Sequence, residues 1–244
     1  TPVVDGDIQK IATISANNDT EIGTIIAEAI AKVGKHGVIS IEESKTMDTT
    51  VKVVEGMSFD RGYMSSAFIN NQDTLEVAYD DVMILVCADK ITNIQDVIPL
   101  LETALPTNKA LLIIADDIDA NALSVLVVNR IRGELPIVAV KAPGFGDKRR
   151  DILEDIAEIT GATLISKENG YKLSETKLDQ LGRASRILVD VDSTTIIDGK
   201  GDKKLIANRA KGVQVQIKDT SSDYDRDKLK ERLAKLTGGV ALIR

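Results

Sequence analysis

Apolar residues recur at Ile22, Ile25, Ile26, Ala29, Ile30 and Val33, one face of a 3.6-residue period, which predicts an amphipathic helix. Asn18 or Asp19 can cap its start and Gly34 can end it. Two short strands are expected over 37–43 and 50–54, and Gly56 follows at once as a hinge position, since it lacks the Cβ that restricts φ and ψ. Beyond it, continuous apolar runs at 82–86, 110–115 and 136–140 are bounded by turn residues and separated by helical stretches. That order predicts parallel strands joined by crossover helices. Further strands are expected over 163–166, 186–190 and 193–197, the last two as a hairpin, and helices over 203–217 and 224–236 lead to Gly238 and Gly239. The fold class is α/β, one main unit with a smaller appendage.

Two helices stand apart. In the first, Asp96 can cap a helix from Val97 with Pro99 in its first turn and Pro106 at its end; its apolar residues cover a little under half the wheel. The second, over 121–132, carries Ala122, Leu123, Val125, Leu126, Val127, Val128 and Ile131 almost all the way round. A helix lying on a sheet needs one apolar stripe, so the excess fits either burial between layers or an exposed patch kept for binding. Period alone leaves both open.

Composition narrows the chemistry. The 244 residues are 43% hydrophobic, enough to bury a real core, and the apolar runs are far shorter than a membrane span. No secretory leader pattern opens the chain, so a soluble protein is expected. A net charge of −7 argues against a nucleic-acid partner, because phosphate neutralisation needs clustered Lys and Arg. The one cysteine, Cys87, stands in an apolar run and reads as core; with no disulfide available, a reducing compartment fits. The one histidine, His36, reads as a loop residue, leaving almost no material for a zinc site or a His-assisted nucleophile.

Residues 55–63, Glu-Gly-Met-Ser-Phe-Asp-Arg-Gly-Tyr, closely resemble the stretch that opens the apical domain of group I (GroEL-type) chaperonins. So do residues 12–17, 111–115, 126–129, 140–147 (Val-Lys-Ala-Pro-Gly-Phe-Gly-Asp), 222–226 and 236–241, in family order and with near-family spacing. The resemblance implies a chaperonin apical-domain fold of layered sheets with flanking helices, plus a partial α+β intermediate-domain segment. Residues 1–54 would form the first leg of the intermediate domain, 55–240 the apical, polypeptide-binding domain, and 241–244 the start of the return leg. Gly56 and Gly239 would be the hinges. The chain would then be a piece of a longer protein, lacking the family's phosphate-binding Asp-Gly-Thr-Thr-Thr run.

By the same resemblance, this piece is no ATPase and holds no cofactor, while its parent would use ATP and Mg and assemble as a ring, the piece alone being compatible with a monomer. Its partners would be unfolded polypeptides and a GroES-type co-chaperonin, in a bacterial cytoplasm or an organelle matrix or stroma. The capture contacts carry over onto Tyr63, Ser65, Phe68, Ile98, Leu101, Leu123, Val127 and Val128. Many relatives have an aromatic residue where this chain has Ala67, so one edge of the groove should be shallower. The alternative is a nucleotide-binding α/β enzyme domain using the loop Gly144 to Asp147. That loop supplies two of three fingerprint glycines, with Arg149 at the third place, and a turn followed by an Asp147 cap explains it as well. A purely structural oligomerisation domain, its apolar helix covered by a neighbour, is the third reading.

Overall fold

The computed structural model describes residues 10–14, 19–33, 38–41, 51–133 and 135–243. Asn18, Gly34, His36 and Thr50, which figure in the expectations above, lie outside the described residues. Helix α1 (Thr20–Val33) starts as expected: the Asp19 carboxylate accepts from the backbone N–H groups of Glu21 at 2.9 Å and Ile22 at 3.1 Å. It packs on strands β1 (Val38–Ile41), β2 (Val51–Phe59) and β8 (Gly239–Ile243). A small apolar cluster forms there around Ala29 and Ala241, with Ile25, Ile26, Val33, Ile39 and Val51 against it.

The main core is separate and much larger. It is built on β3 (Val77–Cys87), β4 (Ala110–Ala115) and β5 (Ile137–Lys141), paired in parallel and crossed over by helices α2 (Ile98–Ala104) and α3 (Ala120–Ile131). Residues 82–87 and 110–115 are buried throughout, which is why their sequences run apolar without alternation. Strands β6 (Gly182–Val189) and β7 (Thr194–Gly199) form the expected hairpin, turned by the Asp190 carboxylate accepting from Asp192 N–H and Ser193 N–H. The sheet runs β1-β8-β2-β7-β6-β3-β4-β5, mixed in direction and flanked by helices. Helices α4 (Gly146–Thr160), α5 (Lys203–Asp219) and α6 (Asp223–Thr237) pack together beside it.

Strand β2 corrects the reading of Gly56 as a residue that follows a strand. The strand runs unbroken through it: residues 51–55 pair with β8, and 56–59 with β7. Gly239 pairs with Glu55, so the two glycines meet at one crossing. Space requires them there. A Cβ on Gly56 would stand 2.5 Å from Val240 Cγ2 and 2.7 Å from the Ile196 carbonyl oxygen, and one on Gly239 would stand 3.0 Å from the Val54 carbonyl oxygen.

Three local expectations also change. Residues 163–166 make no strand: β6 stops pairing with β3 at Ile84, and Ile165 takes over that edge for one rung before the chain turns at Ser166. Asp96 is not the cap before α2; Asn93 caps a 3-10 turn, Ile94–Asp96, that leads into it. Asp147 is not a cap either, because α4 begins at Gly146, two residues before the start that an Asp147 cap sets, with Phe145 at the N-cap, leaving Asp147 in the first turn where its charge still suits the helix dipole.

One buried ion cluster locks the three neighbouring helices. Asp155 on α4 is wholly buried and accepts from Arg209 on α5 and from Arg232 on α6, the latter through Nε at 2.5 Å and Nη2 at 2.9 Å. Arg209 also donates to Glu154 at 2.9 Å, and Arg232 to Asp151 at 2.9 Å. Burial works against the charge on Arg209, but Asp155 and then Glu154 outweigh it and hold its pKa above the ordinary value.

Candidate functional site

Helices α2 and α3 place their inner residues on the sheet and leave a cleft between their outer shoulders. On α2, Leu100 and Ala104 face inward, while Ile98 and Leu101 are half-buried and turn toward the cleft. On α3, Ala122 and Leu126 face inward. The cleft has a volume of about 260 Å³; Leu105, Val125, Asn129 and the acidic Glu102 complete its walls, and the buried Leu135 and Ile137 make its floor.

The burial pattern divides α3 into an inner and an outer face. Its inner face is core, but its outward residues are not covered: Val125 is 37% exposed, Val128 43% and Ile131 68%, with Leu105 at 44% across the cleft. A cluster of exposed aliphatic residues beside an apolar cleft is the kind of feature that marks a binding surface.

The expected capture residues do not all gather there. Ile98 and Leu101 line the cleft, and Val128 stands on the exposed ridge of α3. Leu123 and Val127 lie on the flank of α3 opposite Val125 and Asn129, by the 100° advance per residue, and are half-buried against the main core. Tyr63 and Ser65 are half-buried in the segment that borders β5: Tyr63 bridges Val140, Met64 N–H donates to the Ala139 carbonyl at 2.9 Å, and Ser65 Oγ accepts from Ala67 N–H. Phe68 is a correction. The 3-10 turn Ser66–Phe68 folds it beneath the surface, where it is fully buried as part of the main core and supports the site from below. Val125, Ile131, Leu105 and Asn129 were not singled out in the sequence as contacts. The all-round apolar pattern of α3 was the available signal for the first two.

Gly144, in the loop before α4, and Gly146, the first residue of α4, adopt left-handed φ values of 82° and 55°, and Phe145 between them is exposed with the guanidinium groups of Arg61 and Arg149 near its ring. Arg149, at the place of a third fingerprint glycine, donates from Nε to the Gly144 carbonyl at 3.1 Å and pairs with Asp116. Among the described residues no group of three His, Cys, Asp or Glu side chains could hold a metal ion, and no helix is long and apolar enough to cross a membrane.

Cys87 lies in the core as expected, and burial pushes its thiol up to about 11. The thiolate is the reactive form, so at pH 8 only about 10⁻³ of the thiol is available. Maleimide labelling of the native protein is expected to run at least about 100-fold slower than labelling in urea. Equal rates in the two conditions would show that the side chain is not protected by the core. No protein-family model matches the chain.

Proposed function

We propose that this chain captures non-native polypeptides through the apolar face of α2 and α3, as the peptide-binding part of a group I chaperonin. The carrying observation is the exposure of Leu105, Val125, Val128 and Ile131 around a cleft with an apolar floor. Unfolded chains share exposed apolar surface rather than any side-chain order, and hydrophobic burial is the non-directional interaction that accepts such variety. Each Leu or Val that an incoming segment covers contributes on the order of 1.5–3 kcal/mol, against several kcal/mol of lost freedom, so a single cleft binds weakly. A ring of such chains would add avidity of about 10²- to 10⁴-fold.

On this reading residues 1–54 and 241–244 belong to an intermediate domain and 55–240 to an apical domain, with Gly56 and Gly239 at the hinge. The same face takes the mobile loop of a GroES-type co-chaperonin, and ATP with Mg acts in the longer parent, this chain hydrolysing none. Half-buried Ala67 leaves one border of the site without an aromatic side chain.

Val128 is the residue that tests capture. Val128→Glu places a hydrated charge on the exposed ridge, where surface substitutions usually change stability by no more than about 0.5 kcal/mol. Affinity for a fluorescent apolar peptide is expected to fall about tenfold or more with the thermal midpoint nearly unmoved. Peptide affinity equal to that of the unchanged protein would sink the proposal. Leu123 and Val127 serve less well, because their half-buried packing would mix a stability loss into the readout.

A further inference from the structure

A second cavity, of about 300 Å³, opens between the end of β2, the Pro143 loop, α4 and α6. It lies in the size range of small-molecule sites, at the lower end of about 300–1,000 Å³. Its inner surface is apolar, made by Met57, Phe59, Pro143, Ile152 and Leu229. Its rim is charged, and the pairing within that rim decides what fits.

Every acid that lines the cavity, the three rim carboxylates and the buried Asp155 alike, already has a cation. Asp225 pairs with Lys148 at 2.8 Å, Glu231 with Lys228 at 2.9 Å, and Asp151 and Asp155 with Arg232. Lys235 is left over: it lines the cavity, is half-buried, and has no ion-pair partner among the described residues. A cationic head group would have to displace one of these pairs, whereas an anionic one meets a lone ammonium.

We infer that this cavity binds a small amphiphile with an anionic head, a short aliphatic carboxylate, its apolar body against Phe59, Ile152 and Leu229 and its carboxylate on Lys235. The site is separate from the α2–α3 cleft, with which it shares no lining residue. It touches β2 and α6, the two elements that lead to the crossing at Gly56 and Gly239, so an occupant would brace that end of the main core.

Calorimetric titration of the 244-residue chain with octanoate and with octanol tests it. One saturable site for octanoate is expected. Lys235→Met keeps the aliphatic stem and is expected to weaken octanoate about tenfold or more while leaving octanol within about twofold. Val128→Glu, on the other face, is expected to change neither. Absence of saturable octanoate binding, an octanoate affinity that Lys235→Met leaves unaltered, or binding abolished by Val128→Glu would each overturn the inference. Because peptide capture is read from Val128 and amphiphile binding from Lys235, either proposal can fail without the other.

Discussion

Asp155→Ala is expected to destabilise the protein by about 3–5 kcal/mol, a large share of the roughly 5–15 kcal/mol that holds an ordinary domain folded. The carboxylate is fully buried and shared by Arg209 and Arg232, whose side chains are only 21% and 12% exposed. Removing it takes the one fully buried carboxylate from both guanidinium groups and leaves Arg209 with Glu154 and Arg232 with Asp151, acids that are 34% and 51% exposed, so part of each cation's desolvation goes uncompensated. Urea unfolding measured by circular dichroism checks the magnitude. A triple variant, Asp155→Leu with Arg209→Met and Arg232→Met, separates two origins of the loss: if uncompensated charge dominates, the apolar triple recovers most of the stability. A loss below about 1 kcal/mol for Asp155→Ala would mean that the arginines find water or other acids at little cost.

Leu126→Glu is expected to be as severe, and it gives the α2–α3 assignment its internal control. Leu126 is wholly buried on the sheet side of α3, two residues from exposed Val128. A carboxylate there must be desolvated, take up a proton, or push the helix off the sheet, and the lost leucine packing adds to any of these. Together they amount to roughly 4 kcal/mol or more. Thermal melting of the two variants side by side should show Leu126→Glu unfolded or melting far below the parent and Val128→Glu close to it. Matching midpoints would contradict the burial pattern of the helix.

How much of this was legible in the sequence depended on how local the cause was. The runs at 82–86 and 110–115 announced strands buried on both faces, because a strand covered twice has no polar positions to alternate. The hairpin at Asp190 was legible for a similar reason, its turn chemistry standing between two apolar segments. The pattern of α3 narrowed the possibilities to two, but which of seven apolar residues faced inward depended on the helix's placement against β5 and the 3-10 turns at 66–68 and 94–96. Asn93 and Asp96 are both competent caps, and only the 3-10 turn before α2 selects between them. Phe68 was expected as a capture contact on the family resemblance alone, and its burial was not legible because its inward direction depends on the turn at Ser66. The cluster at Asp155 had no local signature at all, since its arginines stand 54 and 77 residues away.

Strand β2, continuous through Gly56, also has a mechanical consequence. Where β2 meets β8, the α1 end of the molecule is joined to the main core through two antiparallel strands, α6 running into β8 through Gly238 and β1 pairing along the far edge of β8. Tension along such a ribbon loads its rungs and its covalent backbone together, so it hardly stretches. Twist and out-of-plane flexing, which a pair of strands already adopts at small cost, are its soft directions. A torque applied at α1 would therefore reach the main core as rotation, while a pull would arrive almost undiminished.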